Sequence, residues 1–119
     1  MKKYIDICIQ PIPKKNVSTY RKMTQKIGKL LIKHGALASR DYVSEDENAT
    51  RLSFPKKIKL KKGEVIIYAV AEFKSKAHRE KVFNAMFNDP AMAKMDMAKY
   101  MDPKRSVVGG FESLLEVEA

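Results

Sequence analysis

The stretch of sequence that decides the fold is residues 64–88, which read "EVIIYAVAEFKSKAHREKVFNAMFN". Residues 64–73 are apolar on both faces apart from the glutamates near their ends, which is typical of a central strand covered on both sides. Ser75 suits the N-cap position and predicts a helix over residues 76–88. The stretch therefore predicts a buried strand that leads directly into a helix.

The residues before this stretch predict a strand, a helix and a second strand. Residues 3–10 alternate, with three isoleucines on one face, as a strand does. Residues 16–34 predict a helix because their apolar side chains share one arc, and Gly35 fits the position just after its end. Residues 36–43 predict the second strand. The arc consists of Val17, Tyr20, Met23, Ile27, Leu30, Leu31 and His34.

Three further segments complete the chain. The polar segment 44–63 is long for a connection, so we predict a functional loop or a hairpin-like excursion, since "KIKL" alternates weakly. Residues 90–101, "PAMAKMDMAKYM", predict a short Met-rich helix. Residues 106–118 predict the last strand, in which Gly109-Gly110 indicates a bulge or a close backbone approach.

The order strand, helix, strand, strand, helix, strand is the split βαβ pattern of the ferredoxin-like fold, in the α+β class. It predicts one domain over residues 1–119, with an antiparallel sheet that carries its helices on one face. We expect the isoleucines of the first strand to face the helices. The other face is then expected to carry Asp6, Cys8 and Gln10, with either Ile66, Tyr68, Val70 and Glu72 or their odd-numbered neighbours.

Such a face is too apolar to remain in water and too charged for a simple core. We therefore expect a second copy of the sheet to cover it, which gives a face-to-face homodimer, a dimeric α+β barrel. The single cysteine, Cys8, excludes an intramolecular disulfide and fits a reducing cytoplasm. No apolar run approaches the length that spans a bilayer, and the N-terminus is interpreted as a strand rather than a signal peptide.

The formal net charge of +10 raises the question of a polyanionic partner. Lysines form a stripe on the first predicted helix, and residues 55–62 read "PKKIKLKK". The stripe has no interleaved aromatic residues for base stacking, so a solvated basic face that binds nucleic acid only non-specifically is the alternative to a true RNA or partner surface. The stripe consists of Lys22, Lys26, Lys29 and Lys33.

Several segments together resemble the YbaA-like family of bacterial proteins with a domain of unknown function. They are "PIPKKNVSTYRKM", "HGAL", "SFPKKIKLKKGEVIIYAVAEFKSKAHREKVFNAMFNDP" and "VVGGFE", and the similarity runs from about Tyr4 to Glu116. Lys76 and Glu80 stand where the family suggests arginine and aspartate, and both keep the charge. The resemblance implies the dimeric α+β barrel class, which includes monooxygenases, haem-degrading enzymes and plain ligand binders. It implies no established activity and no catalytic residues.

The two histidines are the sharpest candidate site residues. His34 ends the first predicted helix and His78 begins the second, and antiparallel helices bring these ends together. Arg79 adjoins His78 at a helix N-terminus, and Glu72 ends the third strand. We take His34, His78, Arg79 and Glu72 as candidate ligand contacts.

Three interpretations of this set stay open. The histidines, with Glu72 or Asp41, would suit a metal, although their spacing matches no metal motif and we assign no metal or cofactor. His78 would also suit a general base beside an anion-holding Arg79. Alternatively, His78 hydrogen-bonds a backbone carbonyl or a tyrosine and ties the helix start to a loop.

Two other groups of residues have a chemical and a structural interpretation. Carboxylates inside a barrel would have raised pKa values and do acid–base work, or would form ion pairs; they are Asp6, Glu72 and Glu112, with Arg40 nearby. Thioethers favour Cu(I), but apolar packing is the expected role of Met92, Met95, Met97 and Met101.

The sequence thus predicts a homodimeric barrel that binds a small anionic or aromatic molecule, with no assignable reaction. One alternative is a cofactor-independent oxygenase or isomerase with His78 as the base. The other is an RNA- or partner-binding protein that uses the basic face of the first helix.

Overall fold

The computed structural model describes residues 3–45, 54–100 and 102–119. The strands are β1 (Tyr4–Pro13), β2 (Ala38–Val43), β3 (Glu64–Phe73) and β4 (Val107–Glu112). The helices are α1 (Val17–Lys33), α2 (Phe54–Ile58) and α3 (Lys76–Phe87). Short 3₁₀ turns lie at Lys14–Asn16, Met92–Lys94 and Met97–Tyr100.

The four strands form one sheet in the order β2-β3-β1-β4, and every neighbouring pair is antiparallel. The predicted α+β class and antiparallel sheet are confirmed. β1 continues beyond its last pair with β4 at Ile9. Pro11 and Pro13 therefore fall where β1 has a single neighbour, a position that tolerates the missing proline N–H.

The strand β1 presents the opposite face from the one predicted. Asp6 pairs with Ala71, and Ala71 packs with Leu31 of α1 and Met86 of α3. Because directly paired residues share a face, the even-numbered residues of β1 lie beneath the helices. The prediction that the isoleucines face the helices was wrong. The other face, called the open face here, carries Ile5, Ile7 and Ile9 with Arg40, Tyr42, Ile66, Tyr68, Val70, Glu72 and Phe111.

One end of the open face is covered by α2. Ile58 of α2 is buried against Ile9 and Ile66. The hairpin-like excursion predicted within residues 44–63 was wrong over residues 54–58, which are helical, while residues 46–53 lie outside the described part of the chain. The predicted placement of the helices on one face of the sheet is correct for α1 and α3. It is wrong for α2, which covers part of the other face.

The main core lies between the sheet and the helices α1 and α3. Phe73, at the end of β3, is 0% exposed and packs among buried residues of both helices. The end of α1 fixes where the chain turns back, since Gly35 has a φ of 115° and Ala36 N–H donates to Leu31 O at 2.9 Å. This is the glycine C′ arrangement that the sequence predicted.

The segment after α3 packs as expected but is not one helix. Met92, Met95 and Met97 all contact the main core, which confirms the predicted apolar packing for them. Two 3₁₀ turns replace the predicted helix over residues 90–101. Met101 lies outside the described residues.

The last strand is shorter than predicted, because β4 ends at Glu112 and residues 113–119 continue without strand pairing. Within β4, a Cβ atom at Gly110 would overlap the hydroxyl of Tyr4. The group that approaches the glycine pair closely is the Tyr4 ring, which would have to move to admit a side chain at Gly110.

An ion pair closes the end of the sheet at which β3 begins. Glu64 is only 8% exposed. Arg105 donates to both of its carboxylate oxygens, at 2.8 and 2.7 Å. These hydrogen bonds lower the pKa of Glu64, against the opposing effect of burial.

We expect Arg105→Met to lower the free energy of unfolding near neutral pH by about 2–4 kcal/mol, because Glu64 then keeps a buried charge without its partner. The folded-state pKa of Glu64 is lowered, so the pair stabilises the protein above the ordinary glutamate pKa of about 4.3 and loses this effect as the pH falls through the folded value. Urea unfolding across the acid range should show a flatter pH dependence in the variant. Lys104→Met, which removes the same charge from an exposed neighbour, is the control; equal losses in both would contradict this role.

Candidate functional site

The first predicted site residue, His34, caps the end of α1 and is tied to the turn after α3. Its Nε2 lies 2.8 Å from Asp89 Oδ2. Asp89 also accepts hydrogen bonds from Ala91 N–H at 2.9 Å and Lys33 Nζ at 3.0 Å. The bond from Ala91, followed by those from His34 and Lys33, holds the pKa of Asp89 far below its usual range.

The second histidine, His78, organises the start of α3. Its Nδ1 accepts from Lys74 N–H at 3.0 Å, and its own backbone N–H donates to Ser75 Oγ at 3.1 Å. Ser75 is thus the predicted N-cap. His78 ties the helix start to the preceding loop, although through a backbone N–H rather than the carbonyl or tyrosine expected.

The two histidines do occupy the same end of the helical layer. A Cβ built on Gly35, the neighbour of His34, would lie 3.4 Å from His78 Nε2. Each imidazole, however, already has a specific partner, Asp89 or Lys74 N–H. Within the described residues, no three His, Cys, Asp or Glu side chains are grouped closely enough to hold a metal ion.

The structure does not bring the four predicted contact residues together. Arg79 points its Nη2 at Asp6 Oδ1 at 3.4 Å, beneath the helices, and its guanidinium carbon lies 4.2 Å from the Phe83 ring centre. Glu72 lies on the open face and accepts from Arg40 Nη1 at 3.2 Å. The sheet itself separates Glu72 from the histidine end, and it likewise separates the predicted interior carboxylates Asp6 and Glu72.

A cavity of about 260 Å³ lies between the helices α1 and α3 and the sheet. Its floor is formed by the even-numbered residues of β1 and their neighbours on β2 and β3, and its roof by the inner sides of the two helices. The polar lining residues are Asp6, Gln10, Tyr20, Thr24, Ser39 and Asp41.

The polar groups of this cavity form a hydrogen-bond network that leaves one buried acceptor without a protein partner among the described residues. Tyr20 Oη donates to Asp41 Oδ2 at 2.9 Å, and Thr24 Oγ1 lies 3.1 Å from both oxygens of Asp41. Burial first, and then the Asp41 carboxylate, raises the pKa of the Tyr20 hydroxyl. Gln10 interacts with that hydroxyl and is 5% exposed. Its Oε1 is buried and has no hydrogen-bond partner among the described residues.

The pKa of the Cys8 thiol reflects the charges that surround the same cavity. It is half-buried and lines the cavity. Burial, then the charges of Asp6 and Asp41, raise the pKa of its thiol, which disfavours the reactive thiolate. This cavity was not predicted, because Asp6, Cys8 and Gln10 were expected on the other face of the sheet. The available signal was the presence of the polar residues Tyr20 and Thr24 on the inner side of α1.

The part of the open face that α2 does not cover and the chain end are exposed to solvent. Tyr42 and Phe111 on this face are more than half exposed. Beyond β4, Leu114 is 98% exposed, and Leu115 and Val117 are nearly as accessible. On the helical side, the predicted stripe of Lys22, Lys26, Lys29 and Lys33 is exposed. In the part of the chain that is described, no helix has the length and apolar character needed to cross a membrane.

Comparisons with known proteins agree with the sequence motifs. A family model described as "Protein of unknown function (DUF1428)" matches residues 3–103. The chain is similar to the uncharacterized protein YbaA of Escherichia coli strain K12, with 28% identity over 115 residues that cover 96% of this chain and 98% of that protein. The protein of the same description from Shigella flexneri matches equally.

Among solved structures, the chain is similar to the de novo designed protein Foldit4, with a TM-score of 0.45, 14% identity, and coverage of 98% of this chain and 100% of that one. The resemblance to the YbaA-like family is confirmed by the family model and by the match over nearly the full length. The chain belongs to the DUF1428 family of proteins of unknown function.

Proposed function

We propose that the protein is a homodimeric, ferredoxin-like α+β barrel of the cytoplasm that binds a small molecule between the sheet and the helices α1 and α3. The observation that carries the proposal is the buried, unpartnered Oε1 of Gln10 beside a cavity of about 260 Å³. Buried acceptors are nearly always satisfied, and an orphan costs about 1–3 kcal/mol. A ligand that donates a hydrogen bond to Gln10 removes that cost.

The size and lining of the cavity support a small ligand. A dry cavity of about 150 Å³ is large enough to bind benzene, so this one suits a single ring with a short substituent. Apolar side chains from both helices provide the body of the site, with a few polar groups at the floor, which is the usual composition of ligand pockets.

The strand order and the open face support the dimeric barrel. The order β2-β3-β1-β4, with α1 and α3 packed on one face, supports a ferredoxin-like unit. The open face carries apolar side chains at its centre and the ion pair between Arg40 and Glu72 at its side. A second copy would bury these apolar residues and the exposed Leu115 and Val117 of the chain end.

The experiment is a metabolite thermal-shift screen on the native protein and on Gln10→Met, a substitution that preserves the shape of the side chain without its polar atoms. We expect Gln10→Met to leave the melting temperature without ligand nearly unchanged, because removal of the unpaired acceptor offsets the lost hydrogen bond with the Tyr20 hydroxyl. Compounds that stabilise the native protein should give smaller thermal shifts with this variant, which correspond to an apparent affinity at least about tenfold lower. A variant that binds them equally well would contradict the proposed site.

His78→Ala is the matched control, since its contacts are structural and lie outside the cavity lining. We expect it to lower stability by about 1–2 kcal/mol through the lost hydrogen bond to Lys74 N–H. Ligand-induced shifts should be unchanged in it. If His78→Ala abolished these shifts while the protein stayed folded, the histidine end rather than the cavity would be the binding site.

A further inference from the structure

We propose that the ligand of this cavity is a protonated amine, with an ammonium group on a small apolar body that contains one ring. The inference rests on the proposed function and specifies its ligand class. It replaces the anionic ligand that the sequence suggested.

The charge of the lining favours a cation. Among the described residues that line the cavity, Asp6 and Asp41 are acidic and none is lysine, arginine or histidine. The guanidinium of Arg79, which is not among the lining residues, is paired through its two Nη atoms with Asp6 at 3.4 Å and Glu80 at 3.0 Å, while its buried Nε has no partner among the described residues. The charged groups of the lining are therefore the exposed carboxylate of Asp41 and the paired carboxylate of Asp6, in a chain whose formal net charge is +10.

A second observation concerns the field in the cavity. The carboxylates of Asp6 and Asp41 both act to raise the pKa of Cys8, which lines the cavity between them. Each carboxylate thus disfavours a negative charge at this point. The same field stabilises a positive charge and opposes a carboxylate or phosphate ligand.

The hydrogen-bonding groups point to a donor with several protons. Gln10 Oε1 has no partner among the described residues and can only accept. Asp41 accepts from Tyr20 and Thr24, and an ionised carboxylate offers about four acceptor positions in all. An ammonium group has three donors, so it is able to serve both acceptors at once, which a hydroxyl with its single proton cannot do.

The remaining lining selects the body of the molecule. Met23 and Ile27 of α1 and Phe83 of α3 provide an apolar roof. The Phe83 ring is already covered on one side by the Arg79 guanidinium, at 4.2 Å. The volume of about 260 Å³ then limits the ligand to a compact molecule.

The test measures the affinity of three compounds of one shape, phenethylamine, phenethyl alcohol and phenylacetate, by calorimetry on the native protein. We expect the amine to bind at least about tenfold more tightly than the alcohol, and the carboxylate more weakly than both. Asp41→Asn should remove the preference for the amine while leaving the affinity for the alcohol within about threefold. A rising salt concentration should weaken the binding of the amine but not that of the alcohol. This comparison on the native protein tests the proposal if Asp41→Asn does not fold.

The outcomes separate the two claims. Tighter binding of phenylacetate, or equal binding of amine and alcohol, overturns the amine and leaves the cavity as the binding site. An amine preference that survives in Asp41→Asn and is insensitive to salt overturns the role of Asp41 and, with it, the amine assignment. If none of the three compounds binds while the metabolite screen gives a Gln10-dependent hit, the ligand class alone is wrong; if the screen is also empty, the proposed function fails with it.

Discussion

A Val70→Lys variant is expected to disrupt the proposed homodimer and to give a monomer of 13.6 kDa. Val70 lies on the open face, opposite Ile7 of β1 and Arg40 of β2. In the proposed dimer, the lysine of each copy would have to be desolvated beside Arg40. We expect the dissociation constant of the dimer to rise about 100-fold or more.

The measurement is light scattering coupled to size-exclusion chromatography over a dilution series. Ile32→Lys is the matched control, because it places the same charge at an exposed apolar position on α1, away from the open face. We expect this control to remain a dimer and both variants to keep the native circular dichroism spectrum. A native protein that is monomeric throughout the series, or a dimer unaffected by Val70→Lys, would contradict the face-to-face arrangement.

The largest loss of stability is expected from Phe73→Ala, at about 3–5 kcal/mol. Phe73 is 0% exposed, and its ring contacts those of Phe83, at 5.7 Å between centres, and His78, at 6.0 Å. The substitution leaves a hole where the end of β3 meets both helices. Urea unfolding gives the free-energy difference directly.

Phe87→Ala is the control for this prediction. Phe87 stacks on Phe83 at 5.9 Å but is 57% exposed, so its loss should cost less than about 1.5 kcal/mol. Similar costs for the two substitutions would mean that the core is not centred at the junction of β3 and the helices.

The sequence predicted those elements whose local chemistry agrees with their tertiary environment. The largely apolar stretch 64–73 became the strand β3, Ser75 became the N-cap of α3, and Gly35 ended α1 with a positive φ. At these positions, propensity, capping and burial all favour the same conformation.

The orientation of β1 was not predictable by the simple rule that apolar residues face the helices. Both faces of this strand are covered or partly covered, since the isoleucines contact Ile58 of α2 while Gln10 contacts Tyr20 on the inner side of α1. Alternation reveals that two faces differ, but it does not tell which one the helices take. The candidate ligand site was missed for the same reason, because Asp6 and Gln10 were assigned to the open face.

Short helices also could not be predicted from the periodicity of the sequence. The helix α2 has five residues, fewer than a periodic signal needs, and its stability comes from Ile58 packing against β1 and β3. Glu64 and Arg105 form an ion pair although they are 41 positions apart in the sequence. No local pattern in the sequence predicts this pairing.

A high-resolution crystal structure of the protein grown with phenethylamine tests the central claim most directly. We predict the ligand nitrogen within hydrogen-bonding distance of Gln10 Oε1, between α1 and the sheet. The account would be contradicted by a structure in which Gln10 Oε1 accepts a hydrogen bond from a protein group and the cavity holds no ligand.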